Sequence, residues 1–189
     1  INCNSCECFF KFFWIYLTSM AVGKPLIGAV LAKLSARGHA RRVVDIGPGA
    51  GTYADLFRNL TPDAAWCAVE VWGPYVEKYD LREKYDEVII ADIRYLDFIK
   101  LGPSDITLFG DMLEHMSADE ARDVLSRAAI KSRFMAMSIP IGHWPQEEVQ
   151  GNPFEIHVEE NLSHADIQDI VPDLCGGQAM INNQGQGLG

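Results

Sequence analysis

The sequence lacks the features that mark several classes of protein. It has no block of lysine and arginine, and its formal net charge of -10 opposes a partner held mainly through phosphates. The apolar, aromatic stretch near the start is interrupted by Lys11 and is too short to span a bilayer. A basic start and a small-residue cleavage site are also missing. We therefore expect no nucleic-acid partner, no membrane contact and a cytoplasmic location.

Cysteine is sparse and forms no framework. Five of the 189 residues are cysteines, and three of them, Cys3, Cys6 and Cys8, lie in "CNSCEC". No matching Cys/His pair follows at the distance that a zinc or iron–sulfur site needs. The histidines and glutamates after residue 140 likewise match no compact ligand spacing, so we predict no metal site.

The first residue is isoleucine instead of methionine. We expect Met20 to be the natural start and residues 1–19 to be a non-native or disordered leader. Residues 20–189 are long enough for one domain with a core and too short for two.

Short apolar strands alternate with helices along this domain. The helices have apolar residues at helical spacing or a recognisable start. Ser117 followed by Glu120 caps one helix, Ser163 caps another in "SHADIQDIV", and Pro74 opens a helix predicted over "PYVEKYDLREKY". This alternation predicts an α/β fold with a doubly wound, mostly parallel sheet and helices on both faces. The strands are predicted in "RRVVDIG", "AWCAVEV", "DEVIIAD", "DITLFGD" and "RFMAMSIP".

The segment "VVDIGPGAG", residues 43–51, joins the first of these strands to a helix. Glycines at 47, 49 and 51 allow a sharp turn and a close approach of a ligand to the backbone. In doubly wound sheets, ligands bind outside the carboxyl ends of the strands, where this loop lies. The glycine spacing differs from that of dinucleotide sites, and Asp45 beside the loop favours a ligand with positive charge.

An acidic residue lies at the end of each of four successive strands: Asp45, Glu70, Asp92 and Asp111. Glu70 lies about twenty residues beyond the loop, where an acid accepts hydrogen bonds from a ribose diol. The blocks "VVDIGPGAGTYADLF", "AVEV", "ADIRYLD" and "ITLFGDMLEHM" resemble, in order and spacing, the motifs of class I S-adenosylmethionine-dependent methyltransferases. The resemblance runs from about residue 42 to 140 and implies a Rossmann-like methyltransferase domain over residues 20–189.

The resemblance also implies a set of cofactor-binding residues for S-adenosylmethionine. Asp45 and the glycines of the loop would hold the methionine part, and Glu70 the ribose hydroxyls. Aromatic and apolar residues would flank the adenine, and the residues after the third and fourth strands would line the rest. The predicted set is Asp45, Gly47, Gly49, Gly51, Glu70, Val71, Trp72, Asp92, Ile93, Asp111 and Met112.

The acceptor nucleophile needs a group that takes its proton, commonly a histidine or a carboxylate. His115, in "DMLEHM", follows the fourth strand, and His143 follows the fifth; both are candidate bases. The "LEH" pattern resembles methyltransferases that act on small molecules. The Asn/Asp-Pro-Pro-aromatic block of DNA-modifying members does not occur.

The resemblance leads us to expect an antiparallel hairpin at the sheet edge, of which "QAMIN" would be the first strand. We expect this C-terminal hairpin to be truncated, without its second strand. The exposed sheet edge would then pair with a second copy of the chain in a homodimer. The predicted activity is methyl transfer to an oxygen or nitrogen of a small-molecule or glycan-like acceptor. The alternatives are a non-catalytic cofactor-binding module or partner subunit with the same fold and, third, an NAD-dependent oxidoreductase.

Overall fold

The computed structural model describes residues 23–171 and, as backbone, two short strands at 13–16 and 178–181. The strands are β1 (Phe13–Tyr16), β2 (Arg42–Ile46), β3 (Ala65–Glu70), β4 (Glu87–Ile90), β5 (Ser104–Gly110), β6 (Ser132–Ser138), β7 (Gly142–His143), β8 (Asn161–Leu162) and β9 (Gln178–Ile181). The helices are α1 (Gly23–Ala36), α2 (Thr52–Phe57), α3 (Gly73–Lys78), α4 (Leu81–Lys84), α5 (Phe98–Leu101), α6 (Ala118–Ala129) and α7 (His164–Ile170). Short 3₁₀ turns cover Arg58–Leu60, Leu113–His115 and Pro153–Glu155.

The centre of the fold is a five-stranded sheet with the order β4-β3-β2-β5-β6. All of its neighbouring strands pair in parallel. The chain winds outward from β2 in both directions, first to β3 and β4 and then to β5 and β6. This is the doubly wound α/β fold that the sequence predicts, and its strand order reverses at β2.

Helices cover both faces of the sheet because side chains alternate along each strand. On one face Val43 packs with residues of α1, α2 and α4. On the other face Val44 and Ile46 pack with residues of α6 and α7. Cys67 is buried among the second group, as its apolar neighbours in the sequence indicate. A strand buried on both faces explains the nearly continuous apolar run of β2.

Both capping predictions are confirmed. Ser117 accepts from the Glu120 backbone N–H while Glu120 accepts from that of Ser117, which forms a capping box at α6. Ser163 forms a second box with Asp166 at α7. The helix predicted over "PYVEKYDLREKY" is instead divided into α3 and α4, because Asp80 adopts a left-handed conformation with φ 51°.

The pairing of β1 and β9 differs from the predicted antiparallel hairpin. The strand predicted in "QAMIN" is present as β9, but it pairs in parallel with β1. β1 lies inside the predicted leader, whose boundary at Met20 stays a prediction. Cys3, Cys6, Cys8 and Cys175 lie outside the described residues. No helix within residues 23–171 has the length and apolar character required to cross a membrane.

Candidate functional site

A cavity of about 210 Å³ opens at the carboxyl edge of the central sheet, above the ends of β2, β3 and β5. This is the edge at which the strand order reverses, so the fold places the cavity where doubly wound sheets bind ligands. Its lining is formed by Ile46, Gly47, Pro48, Gly49, Val69, Glu70, Val71, Ala91, Asp92, Ile93, Arg94, Gly110, Asp111, Met112, His115, Met116, Asn152, Phe154 and Glu155.

The glycine loop forms one wall of the cavity. Gly47, Gly49 and Gly51 all have positive φ, at 66°, 53° and 77°. A Cβ at Gly47 would lie 3.1 Å from Cβ of Met112, whereas a Cβ at Gly49 would meet nothing within 4 Å. Gly47 therefore allows close packing inside the site, and Gly49 keeps its left-handed turn beside open space.

Asp45 lies beneath this loop and does not line the cavity. Its side chain is 1% exposed, and the Tyr85 hydroxyl donates a 2.6 Å hydrogen bond to its Oδ2 atom. Burial raises the pKa of Asp45 to about 7, against the opposing effect of that hydrogen bond. Asp45 is thus a buried group next to the loop, held by Tyr85, and its direct contact with a ligand stays a prediction.

Glu70 lines the cavity at the end of β3. One carboxylate oxygen accepts the backbone N–H of Trp72 at 2.7 Å, and the other accepts that of Gly49 at 3.3 Å. Burial raises the pKa of Glu70, and these hydrogen bonds act in the opposite direction. The carboxylate is consequently held in one orientation between the glycine loop and the start of α3.

Asp92 lines the cavity beyond β4 and is paired with Arg94. The Arg94 guanidinium donates to both of its carboxylate oxygens, at 2.6 to 3.0 Å. Burial alone would raise the pKa of Asp92, but the hydrogen bonds and charge of Arg94 outweigh it and hold the pKa below its ordinary value. Asp92 therefore faces the cavity as one half of an ion pair.

Asp111 lines the cavity just after β5, in a left-handed conformation with φ 51°. Ser138 donates a 2.5 Å hydrogen bond to its carboxylate, and the Lys24 ammonium lies 3.7 Å from the other oxygen. Such a conformation is unfavourable for a residue with a side chain, and it is often found at functional sites. The contacts to β6 and to α1 hold Asp111 in place at the cavity edge.

His115 reaches the cavity from the 3₁₀ turn after β5, beside two further groups. Its ring centroid is 4.8 Å from that of His157. A carboxylate oxygen of Glu114 and one ring nitrogen from each histidine lie within 4.8 Å of one another. Burial lowers the pKa of His115 and raises that of Glu114 well above its ordinary value.

The segment between β7 and β8, residues 144–160, covers part of the cavity and is called the β7–β8 loop below. Asn152 and Glu155 line the cavity from this loop. The backbone N–H groups of Val158 and Glu159 both donate to the carbonyl of Glu114, at 2.9 and 3.1 Å. The loop is thereby tied to the turn that carries His115.

His143 lies away from the cavity. It is exposed on β7, and its Nδ1 atom is 2.7 Å from Oδ1 of Asn161. Gly51 also lies outside the lining, where it begins α2. Trp72 does not line the cavity itself, but its ring packs against the lining residue Phe154 with 6.1 Å between the ring centroids.

The remaining predicted residues come together around this one cavity. They are Gly47, Gly49, Glu70, Val71, Asp92, Ile93, Asp111, Met112 and His115. Sequence reasoning missed Arg94, Asn152 and Phe154 as lining residues, and it missed the proximity of Glu114 to His157. Arg94 lies two residues after the predicted acid Asp92, which is a usable signal, whereas the loop contacts depend on the tertiary fold.

Solved structures share this fold, and three of them are compared with the chain here by TM-score, sequence identity and coverage. The sugar N-methyltransferase KedS8 from Streptoalloteichus superposes with a TM-score of 0.51 at 16% identity, over 66% of this chain and 50% of that one. DesVI from Streptomyces venezuelae gives 0.50 at 15% identity, over 70% and 54%. The mitomycin 7-O-methyltransferase MmcR gives 0.50 at 15% identity, over 78% and 48%.

These values establish the class of fold, the Rossmann-like fold found in small-molecule methyltransferases. The chain spans about half the length of the solved structures it matches. No protein-family model and no curated protein matches the sequence.

Proposed function

We propose that the chain transfers a methyl group from S-adenosylmethionine to an oxygen or nitrogen atom of a small-molecule or glycan-like acceptor. The observation that carries this proposal is the convergence of the glycine loop, Glu70 and the Asp92–Arg94 pair on one cavity at the switch point of the sheet. S-adenosylmethionine supplies a methyl group on a sulfonium ion, and the C–S bond breaks with its electron pair left on sulfur.

The residues present fit that cofactor. The cavity has a carboxylate, Glu70, which is anchored by two backbone N–H groups and keeps acceptor capacity for a pair of hydroxyls. Val71 and Ile93 both line the cavity and offer apolar surface to an adenine, and Asp92 beside Ile93 would accept from its amino edge. Gly47 and Gly49 leave the backbone accessible to an amino-acid tail, and the acids suit a ligand with two positive charges.

The acceptor would approach from the side of His115, since this is the predicted base that lines the cavity. As the lone pair of the acceptor atom bonded to the methyl carbon, His115 would take the proton of that acceptor atom at a ring nitrogen. Holding both reactants in line is the larger contribution that a cavity can make to such a reaction. His143, exposed on β7, would lie outside this path.

Calorimetry and turnover test the proposal separately. The chain is expected to bind S-adenosylmethionine and its demethylated product, S-adenosylhomocysteine, in preference to NAD. A panel of amino sugars, sugar alcohols and phenols would then reveal methylated product by mass spectrometry. Binding without any turnover would favour a cofactor-binding module instead, and tighter binding of NAD would overturn the proposal.

A further inference from the structure

We propose that Glu114, His115 and His157 bind one divalent transition-metal ion of the zinc type at the edge of the cavity. Two imidazoles and one carboxylate form a ligand set that zinc accepts, with a fourth position left for water or substrate. The site goes beyond the proposed methyl transfer, because an ion binds there whether or not that reaction occurs.

The distances suit such an ion after a small adjustment. The three candidate donor atoms lie within 4.8 Å of one another. Ligand atoms that meet zinc at about 2.0 to 2.2 Å are roughly 3.4 Å apart in a tetrahedral arrangement. Movements of about 1 Å per side chain close this difference, well within what rotation about side-chain bonds allows.

The environment of Glu114 provides an independent reason to expect a cation. Its side chain is 1% exposed, and its Oε2 atom has no hydrogen-bond partner within the described part of the chain. A buried carboxylate oxygen without a partner costs free energy, and a bound cation removes that cost.

Each of the two histidines has a backbone carbonyl beside Nδ1, a second-shell contact that metal-binding histidines usually have. Nδ1 of His115 lies 3.2 Å from the carbonyl oxygen of Ile156, and Nδ1 of His157 contacts that of Trp144. Because a carbonyl oxygen only accepts, each Nδ1 carries the proton in a neutral ring. Each Nε2 then keeps its lone pair, the arrangement in which a second-shell carbonyl fixes a metal-binding imidazole.

The open coordination position of this ion would face the cavity, because His115 belongs both to the cavity lining and to the metal-binding cluster. An ion would occupy the lone pair that otherwise makes His115 a base. The acceptor oxygen would then lose its proton more readily through contact with the ion, and the proton would pass to solvent. His115 would act as a ligand and the β7–β8 loop, through His157, would complete the site.

Cobalt(II) uptake by the full chain tests the site, because four-coordinate cobalt has a strong visible absorption. The titration is run after chelator treatment in a variant with Cys3→Ser, Cys6→Ser and Cys8→Ser, which removes the other potential ligand cluster. One equivalent of cobalt is expected to bind, and zinc to displace it. His157→Gln is expected to weaken binding by at least about 100-fold.

His143→Gln is the matched control, since this exposed histidine lies outside the cluster, and its cobalt affinity is expected to stay unchanged. Glu114→Gln should weaken binding as His157→Gln does, and circular dichroism verifies that each variant is folded. Absence of stoichiometric uptake, or equal uptake by His157→Gln, would overturn the site. Binding of S-adenosylmethionine is measured separately. Metal uptake without cofactor binding would overturn only the proposed function, and cofactor binding without metal uptake would overturn only the metal site.

Discussion

The hydroxyl of Tyr85 donates a 2.6 Å hydrogen bond to Oδ2 of Asp45 below the glycine loop. Tyr85 directly follows α4, so this bond links the end of β2 to the approach to β4 across the buried face of the sheet. Tyr85 is itself buried, and its ring packs against Trp66 at 6.3 Å between centroids. The carboxyl group beside the loop is therefore shielded from water and held by one neutral donor.

Replacing Asp45 with Asn should change how stability depends on pH. In the folded chain Asp45 stays protonated up to about pH 7, whereas in the unfolded chain it ionises near pH 4. Its contribution to stability is therefore fully present below pH 4 and is lost as the pH rises through 7. Relative to Asp45→Asn, the wild type should lose at most about 1.4 kcal/mol per pH unit over this range.

Urea unfolding at several pH values between 4.5 and 7.5 (roughly the window set by these pKa values) measures the difference. Tyr85→Phe is a useful companion, because it removes the donor and should raise the pKa of Asp45 further. A constant difference in unfolding free energy between wild type and Asp45→Asn at every pH would show that Asp45 does not titrate in this range.

Replacing Gly47 with Ala should weaken nucleoside binding, and Gly38→Ala is its matched control. The two glycines have nearly the same φ, 66° and 68°. A Cβ at Gly47 would lie 3.1 Å from Met112, whereas one at Gly38 would meet nothing within 4 Å. Both variants should lose about 1 to 2 kcal/mol through backbone strain, but only Gly47→Ala should also bind S-adenosylhomocysteine less tightly. Equal affinity in the two variants would argue against a ligand at this wall.

Replacing Glu70 with Gln should reduce affinity for S-adenosylhomocysteine by about 10- to 100-fold. The reason is that hydrogen bonds to a charged acceptor contribute about 1.5 to 3 kcal/mol. Glu77→Gln, on the exposed side of α3, is the control and should bind as the wild type does. Isothermal titration calorimetry gives both constants, and unchanged affinity in Glu70→Gln would remove this residue from the site.

Replacing Asn152 with Ala should loosen the part of the β7–β8 loop that covers the cavity. Asn152 is buried, and its side chain accepts the backbone N–H of Phe154 at 3.0 Å. Loss of this cap should cost about 1 kcal/mol of stability and speed the dissociation of a nucleoside ligand. Asn152→Asp retains an acceptor oxygen and should restore the cap. Stopped-flow dissociation rates that are the same in Asn152→Ala and wild type would contradict this role of the loop.

The sequence was most informative where chemistry follows from position along a strand. Glu70, Asp92 and Asp111 each lie at or just beyond the end of a strand of one parallel sheet, and parallel strands bring such residues to the same edge. The capping boxes of Ser117 and Ser163 were readable for a similar reason, because each depends on residues three positions apart.

The cluster of Glu114, His115 and His157 could not be found in this way. The contact between His115 and His157 depends on the path of the β7–β8 loop, for which the sequence has no periodic pattern. Asp45 was predicted to hold the methionine part of the cofactor, and this stays a prediction. The hydrogen bond from Tyr85 to its carboxyl group was not predicted, because it depends on the tertiary fold. The break at Asp80 likewise depends on a single left-handed residue inside an otherwise helical pattern.

The backbone N–H groups of Val158 and Glu159 both donate to the carbonyl of Glu114, and they fix the end of the β7–β8 loop to the turn that carries His115. Residues 145–155 precede this attachment, and three of them, Asn152, Phe154 and Glu155, line the cavity. This stretch can therefore be exchanged as a cassette, with the anchor left in place. Exchange of this single surface insert would reshape one wall of the cavity, while the walls formed by the glycine loop and Glu70 remain the same.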